Sequence, residues 1–368
     1  MKADPFRDRR TIAGLAREIA VAARDLPRPV TLMEVCGTHT HAIAEAGLRR
    51  LMPPGVRLVS GPGCPVCVTP VSWLDRALAL GADPGTVLAT FGDLVRVPSS
   101  TVTLEEHRAR GGRVRVVYSP RDALELAAAE PSARVVFLAV GFETTAPAIA
   151  AAIAEAEQRG IANFLVLPGN KTMPAPLAAL ADAVDGFLMP GHVSVITGAD
   201  AWRFLPEEHG VPAVVAGFTP ADVLAAVLAL VRRIAAGEPA VVNLYGRVVT
   251  AGGNRAALEL MARTFEPVDA EWRGLGALPG SGLGLREHLA HRDAGRIPVE
   301  LPPPREPAGC RCGDVLRGTI DPPACGLFGT TCTPERPVGA CMVSSEGACA
   351  AWYRHERWRR EDAEGRVE

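Results

Sequence analysis

The sequence predicts an α/β protein in which two parallel-sheet α/β lobes lie around a cleft and a small cysteine-rich C-terminal domain follows. Three observations carry that prediction. Short, continuous apolar runs recur from about residue 30 to 220, each ended by a Gly/Pro turn and followed by an Ala- and Leu-rich helical pattern. Parallel strands buried on both faces and joined by crossover helices read this way. With 368 residues, 48% of them hydrophobic, the chain can fill two or three cores of ordinary size. Six of its nine cysteines crowd between 310 and 349, behind the Pro-rich segment ELPPPREPAG.

The elements follow in order. A helix is expected over 10–25, then strands in VTLMEVCG from Val30 and VRLVSGPG from Val56, and a helix over 70–80. TVLATFGD from Thr86 and VRVVYS from Val114 are the next strands, with a helix over 121–130 opened by Ser119 and Pro120. RVVFLAVGFE from Arg134 leads into a helix over 146–159, and NFLVLPGN from Asn163 into one over 174–184. GFLMPG from Gly186 and PAVVAGF from Pro212 complete the strands, and a helix over 220–236 follows Thr219 and Pro220. So many strands argue for two sheets. The expected division is 1–115 as a first lobe completed by 218–300, 116–217 as a second, and 301–368 as the cysteine-rich domain.

Charge excludes some functions. The net charge is −2 with Lys and Arg spread along the chain, so no nucleic-acid surface is expected. MKADPFRDRR is not followed by a signal-peptide core, and no apolar run reaches the ~18–20 residues that span a bilayer. A cytoplasmic protein that meets no membrane is expected. In that compartment thiols stay reduced, which favours metal ligation or redox work over structural disulfides.

In an open parallel sheet, ligands sit beyond the carboxyl ends of the strands. Cys36 ends the first strand there and enters a helical pattern with His39 and His41, so a lowered thiol pKa is expected at the positive helix end. A lone cysteine is more often a small buried hydrophobe; the two histidines and Gly37 favour chemistry here. Cys64 and Cys67 form a C-x2-C frame after the second strand, read as a redox pair or as half of a zinc site. Asp93 follows a third strand end. Glu143, Thr144, Thr145, Asn170, Lys171, His192 and Ser194 follow others, and although each has an ordinary explanation as cap, turn or core residue, their recurrence suggests a cleft lined from both sides. No loop has G-x-G-x-x-G or G-x4-G-K-[ST]. Cys310, Cys312, Cys325, Cys332, Cys341 and Cys349 lie in a segment too irregular to form much core unaided, so metal would stabilise it. Structural zinc with spare thiols and an iron-sulfur cluster with a leftover pair both account for six thiolates.

CGTHTH, GPGCPVC, TFGDLVRVP, GFETTAP, GNKTMP, GHVSVITG and CMVSSEGACAAW, in this order over nearly the whole chain, resemble the motifs of the HypD family of hydrogenase maturation factors. The resemblance implies a redox-active scaffold on which, with HypC, the Fe(CN)2CO moiety of nickel-iron hydrogenases is assembled before transfer to the hydrogenase large subunit. HypE would deliver cyanide derived from the carbamoyl group made by HypF. It further implies Cys36 as ligand of an Fe(II) carrying CN and CO, Cys64 and Cys67 as the redox pair beside it, and a 4Fe-4S cluster on Cys310, Cys325, Cys332 and Cys349. Cys312 and Cys341 would form a second dithiol, relaying electrons as in ferredoxin:thioredoxin reductase. Hydrogen bonds to cyanide nitrogen from the helix N-terminus, His39 and His41 are expected. The resemblance also implies a monomer when free, since its docking surface would serve different partner proteins. The competing readings are an iron-sulfur disulfide reductase and a zinc-stabilised binding module.

Overall fold

A computed structural model describes residues 8–357. Two all-parallel sheets form its frame, as the unbroken apolar runs require. The strands are β1 (Val30–Glu34), β2 (Val56–Ser60), β3 (Thr86–Thr90), β4 (Val114–Val116), β5 (Arg134–Gly141), β6 (Phe164–Asn170), β7 (Gly186–Pro190), β8 (Ala213–Ala216), β9 (Val241–Asn243), β10 (Phe265–Trp272) and β11 (Gly276–Leu285). The first sheet runs β2-β1-β7-β8-β9 and the second β4-β3-β5-β6. β10 and β11 form a separate antiparallel hairpin.

The division between lobes departs from the boundaries expected from sequence. β3 and β4 pair into the second sheet, and β7 and β8 return to the first, so the second lobe is inserted between β2 and β7. Strands buried on both faces look alike as sequence; partners such as Leu32 with Gly186 are fixed by long-range packing.

Helices cover the sheets because their apolar stripes match. Helix Pro220–Ala236 is opened by a Thr219/Asp222 capping box and closed by Gly237. With helix Arg9–Ala22 it buries Val223, Val227, Leu230 and Ile19 against Leu32 and Val214. Helix Ala146–Arg159 packs Ile149 and Ile153 on Phe137 and Val135 of β5. The hairpin was not foreseen, since its Gly/Pro content gives no alternating pattern. Leu283 and Leu285 join the second core, while Trp272 reaches the first and stacks on Phe142. Among the described residues, no helix is long and apolar enough to cross a membrane.

Candidate functional site

The carboxyl end of β1 brings three distant stretches of chain into contact. Cys36 is the N-cap of helix Gly37–Glu45, and the Gly37 N–H donates to the Gly63 carbonyl (3.1 Å) one residue before Cys64. Two glycines make the approach possible. A Cβ on Gly63 would stand 2.2 Å from the Cys36 nitrogen, and one on Gly37 would stand 2.3 Å from the Cβ of Glu346 in the C-terminal tail. Only residues without side chains fit there.

Burial dominates the electrostatics. Cys36 is 8% exposed, and burial, with Glu346 and Glu34 nearby, pushes its thiol up to about 12 against the favourable backbone N–H groups of His39 and Thr38. The lowered pKa expected from the helix terminus is therefore reversed: desolvation outweighs the dipole. Glu34 is pushed up to about 7, chiefly by burial; it accepts from the Cys36 N–H (3.2 Å) and the Thr40 hydroxyl (2.5 Å). His39 is buried and held down to about 4, again by desolvation. Its Nε2 lies 2.9 Å from the Gly217 carbonyl, which only accepts, so Nε2 carries the proton and the buried Nδ1, which has no partner, is an acceptor. Donation from neutral His39 to a cyanide nitrogen, expected from sequence, is ruled out by this tautomer. His41 instead packs edge-on against His355 with centroids 4.7 Å apart.

Cys64 and Cys67 are disulfide-bonded at the start of the short helix Pro65–Val68. Cys67 Sγ lies 3.9 Å from the carbonyl oxygen of Ala340, whose neighbour Cys341 is disulfide-bonded to Cys312. The two disulfides share one packed core. Beyond the second, Cys310, Cys325, Cys332 and Cys349 line a single small cavity with Leu327, Phe328 and Met342. Burial raises the Cys349 thiol well above the ordinary range, and Cys310, Cys332 and Cys325 raise it further.

The HypD model, described as "Hydrogenase formation hypA family", matches residues 10–356. The chain belongs to the HypD family. It is 47% identical to the hydrogenase maturation factor HypD of Azotobacter vinelandii, across 97% of each chain. It is 45% identical to the HypD of Rhodobacter capsulatus, across 96% of this chain and 97% of that one, and 43% identical to that of Escherichia coli K12, across 90% of each.

The tail cavity of this HypD-family chain gathers four free thiols. Four thiolates on one dry cavity repel one another unless bound cations neutralise them. The four free thiols there fit a cluster whose iron atoms are spread over several ångströms.

The remaining sequence candidates separate into distinct places. Asp93 accepts from the hydroxyls of Ser344 (3.2 Å) and Ser345 (3.1 Å), tying the loop after β3 to the tail beside Glu346. Thr145 and Asp93 line a cavity with Val66 of the C-x2-C helix, beyond the carboxyl ends of the neighbouring strands β3 and β5. Thr144 is exposed. Asn170 and Lys171 line another cleft with Trp73 and Glu271; burial lowers Lys171 to about 8, and its Nζ donates to the Glu271 carbonyl (2.7 Å). Glu143 is buried, pushed up to about 7 by desolvation, and accepts from the Met173 N–H (2.9 Å). Ser194 is not a cleft residue: it is fully buried and accepts from Trp202 Nε1 (2.9 Å). His192, on the helix Gly191–Thr197 that follows β7, is stacked on Phe218 (4.0 Å), which also packs against His39 (4.7 Å). Sequence reasoning missed Glu34, Glu346 and Phe218. Glu346 sits inside CMVSSEGACAAW, and a carboxylate within so apolar a motif was the available signal.

Proposed function

We propose that the chain is the redox-active scaffold of hydrogenase maturation on which, together with HypC, the Fe(CN)2CO unit is built before transfer to the hydrogenase large subunit. A role in hydrogenase maturation comes with membership of the HypD family. The finer reading is supported above all by one observation: Gly37 and Gly63 allow Cys36, the Cys64 loop and Glu346 to meet at one strand end.

In this reading iron arrives as cargo. A soft Fe(II) displaces the proton of Cys36, and the N–H groups of Thr38 and His39 favour the resulting thiolate. The other iron ligand comes from HypC, and HypE presents the cyanide made by way of HypF. The residues for a 4Fe-4S cluster are Cys310, Cys325, Cys332 and Cys349; when bound it supplies one-electron chemistry. Cys312 and Cys341 stand between that cavity and the Cys64–Cys67 disulfide, whose reduction takes two electrons and two protons.

Cys36→Ala is the test, with iron content and the infrared CN and CO bands measured on the complex with HypC. Loss of the bands is expected; unchanged bands refute the assignment. The adjacency of the two disulfides also favours a second reading, an iron-sulfur disulfide reductase. That protein would turn over a substrate disulfide without a partner and keep its activity in Cys36→Ala.

A further inference from the structure

Arg273 lies on the turn between β10 and β11, in neither sheet and in none of the motifs read from the sequence. It is nonetheless 4% exposed. A guanidinium keeps its charge in a protein, so burying one demands compensation from every side. Its Nη1 meets the largely exposed Glu306 carboxylate at 2.8 Å. Its Nε donates to the Thr69 carbonyl (3.0 Å) and its backbone N–H to the Val68 carbonyl (2.9 Å), at the C-terminal end of the C-x2-C helix. The buried Nη2 has no hydrogen-bond partner. Arg292, equally buried, places its donors on Glu157 and on the carbonyls of Ile161 and Phe164.

What lies beside Arg273 is sulfur. It lines one cleft with Cys310 and Cys312, and its charge is felt at Cys310. One guanidinium thus bridges the backbone behind the Cys64–Cys67 disulfide and the rim of the tail cavity, with a donor to spare. We infer that Arg273 is a positioning residue that sets the reduction potential of the cysteine-bound group in the tail. Its fixed positive charge stabilises the negative charge gained with each electron, and Glu306 attenuates it. The inference rests on the cluster reading given above.

The test is a mediated redox titration of the full chain, reconstituted anaerobically with iron and sulfide and followed by electron paramagnetic resonance. Arg273→Gln removes the cation and shifts the potential to more negative values; Glu306→Gln removes the counter-charge and shifts it to more positive ones. Arg273→Lys keeps the charge and stays near wild type. Opposite shifts of the two glutamine variants support the assignment. Equal potentials, or shifts in the same direction, overturn it, the latter because disturbed packing and not charge would then be acting. Should Arg273→Gln fail to fold, Glu306→Gln and Arg273→Lys decide: no positive shift in the first, or a large shift in the second, overturns the inference. A wild-type chain that takes up no cluster overturns the cluster reading along with it, whereas a normal cluster with unmoved potentials refutes Arg273 alone.

Discussion

Gly63→Ala should separate Cys36 from the C-x2-C loop. The added Cβ would lie 2.2 Å from the Cys36 nitrogen and 2.3 Å from the Val35 carbonyl carbon. Both are backbone atoms of β1's exit, so no side chain can swing aside and one of the two loops must move. Overpacking of this kind costs ~1–3 kcal/mol, and losing the Gly37 N–H bond to the Gly63 carbonyl adds ~0.5–1.5 kcal/mol. A destabilisation of about 1.5–4.5 kcal/mol follows, which corresponds to a fall in Tm of roughly 2–6 °C for a chain of 368 residues. Gly246→Ala is the control, because a Cβ there meets nothing within 4 Å. The assay is thermal unfolding of both variants, with alkylation of Cys36 by iodoacetamide at pH 8 as a local readout. Faster alkylation in Gly63→Ala is expected, since the displaced loop admits water and relieves the desolvation that holds the thiol protonated. A Tm within about 1 °C of wild type, with an unaltered alkylation rate, would show that the contact is not obligatory (a shift of that size reflects less than ~1 kcal/mol).

Two further outcomes are expected. Burial raises Glu143 from 4.5 to about 7, so the folded state holds a proton that the unfolded chain releases. Its contribution is fully present below pH 4.5 and is lost as pH rises through 7; a shift of 7 − 4.5 = 2.5 units corresponds to roughly 3 kcal/mol. Glu143→Gln should flatten the fall in stability between pH 4.5 and 7 in urea titrations, and parallel pH profiles of variant and wild type would contradict the burial argument. Arg49 pairs with Glu356 (2.7 Å), donates to Ser60 (3.1 Å) and lies over the Trp352 ring (4.9 Å), pinning helix Ala348–His355 to the first lobe. Arg49→Met should destabilise the chain by ~1–3 kcal/mol, between the values for an exposed and a buried pair, and open the tail to limited proteolysis; an unchanged digestion pattern would show that the tail is held by other contacts.

The architecture was legible because physics repeats itself locally. TVLAT and FLVLPGN have no polar face to turn to water, so they had to be parallel strands between helices, and Thr219-Pro220 and Ser119-Pro120 announced helix starts. Those same runs carry no mark of which partner they choose. Hence the expected division set β3, β4, β7 and β8 in the wrong lobes, and the hairpin around Trp272 was unread. For the site, the residue types at strand ends drew attention to Cys36, Cys64, Cys67 and Asp93. Their environment was another matter: the helix N-terminus argued for a reactive thiolate, whereas burial made Cys36 a protonated thiol.

By itself the sequence determined the chemical inventory of this protein, its α/β class and its membership of the HypD family, because these depend on residue types and on periodicities within a few turns of chain. Only the tertiary structure decided which sulfurs are neighbours, that Gly37 and Gly63 admit Glu346 and the C-x2-C loop to Cys36, and that Arg273 is buried beside Cys310. The physical reason is range. Pairing, burial and desolvation are set by atoms hundreds of residues away along the chain, and the cost of removing a charge from water exists only once those atoms have closed around it.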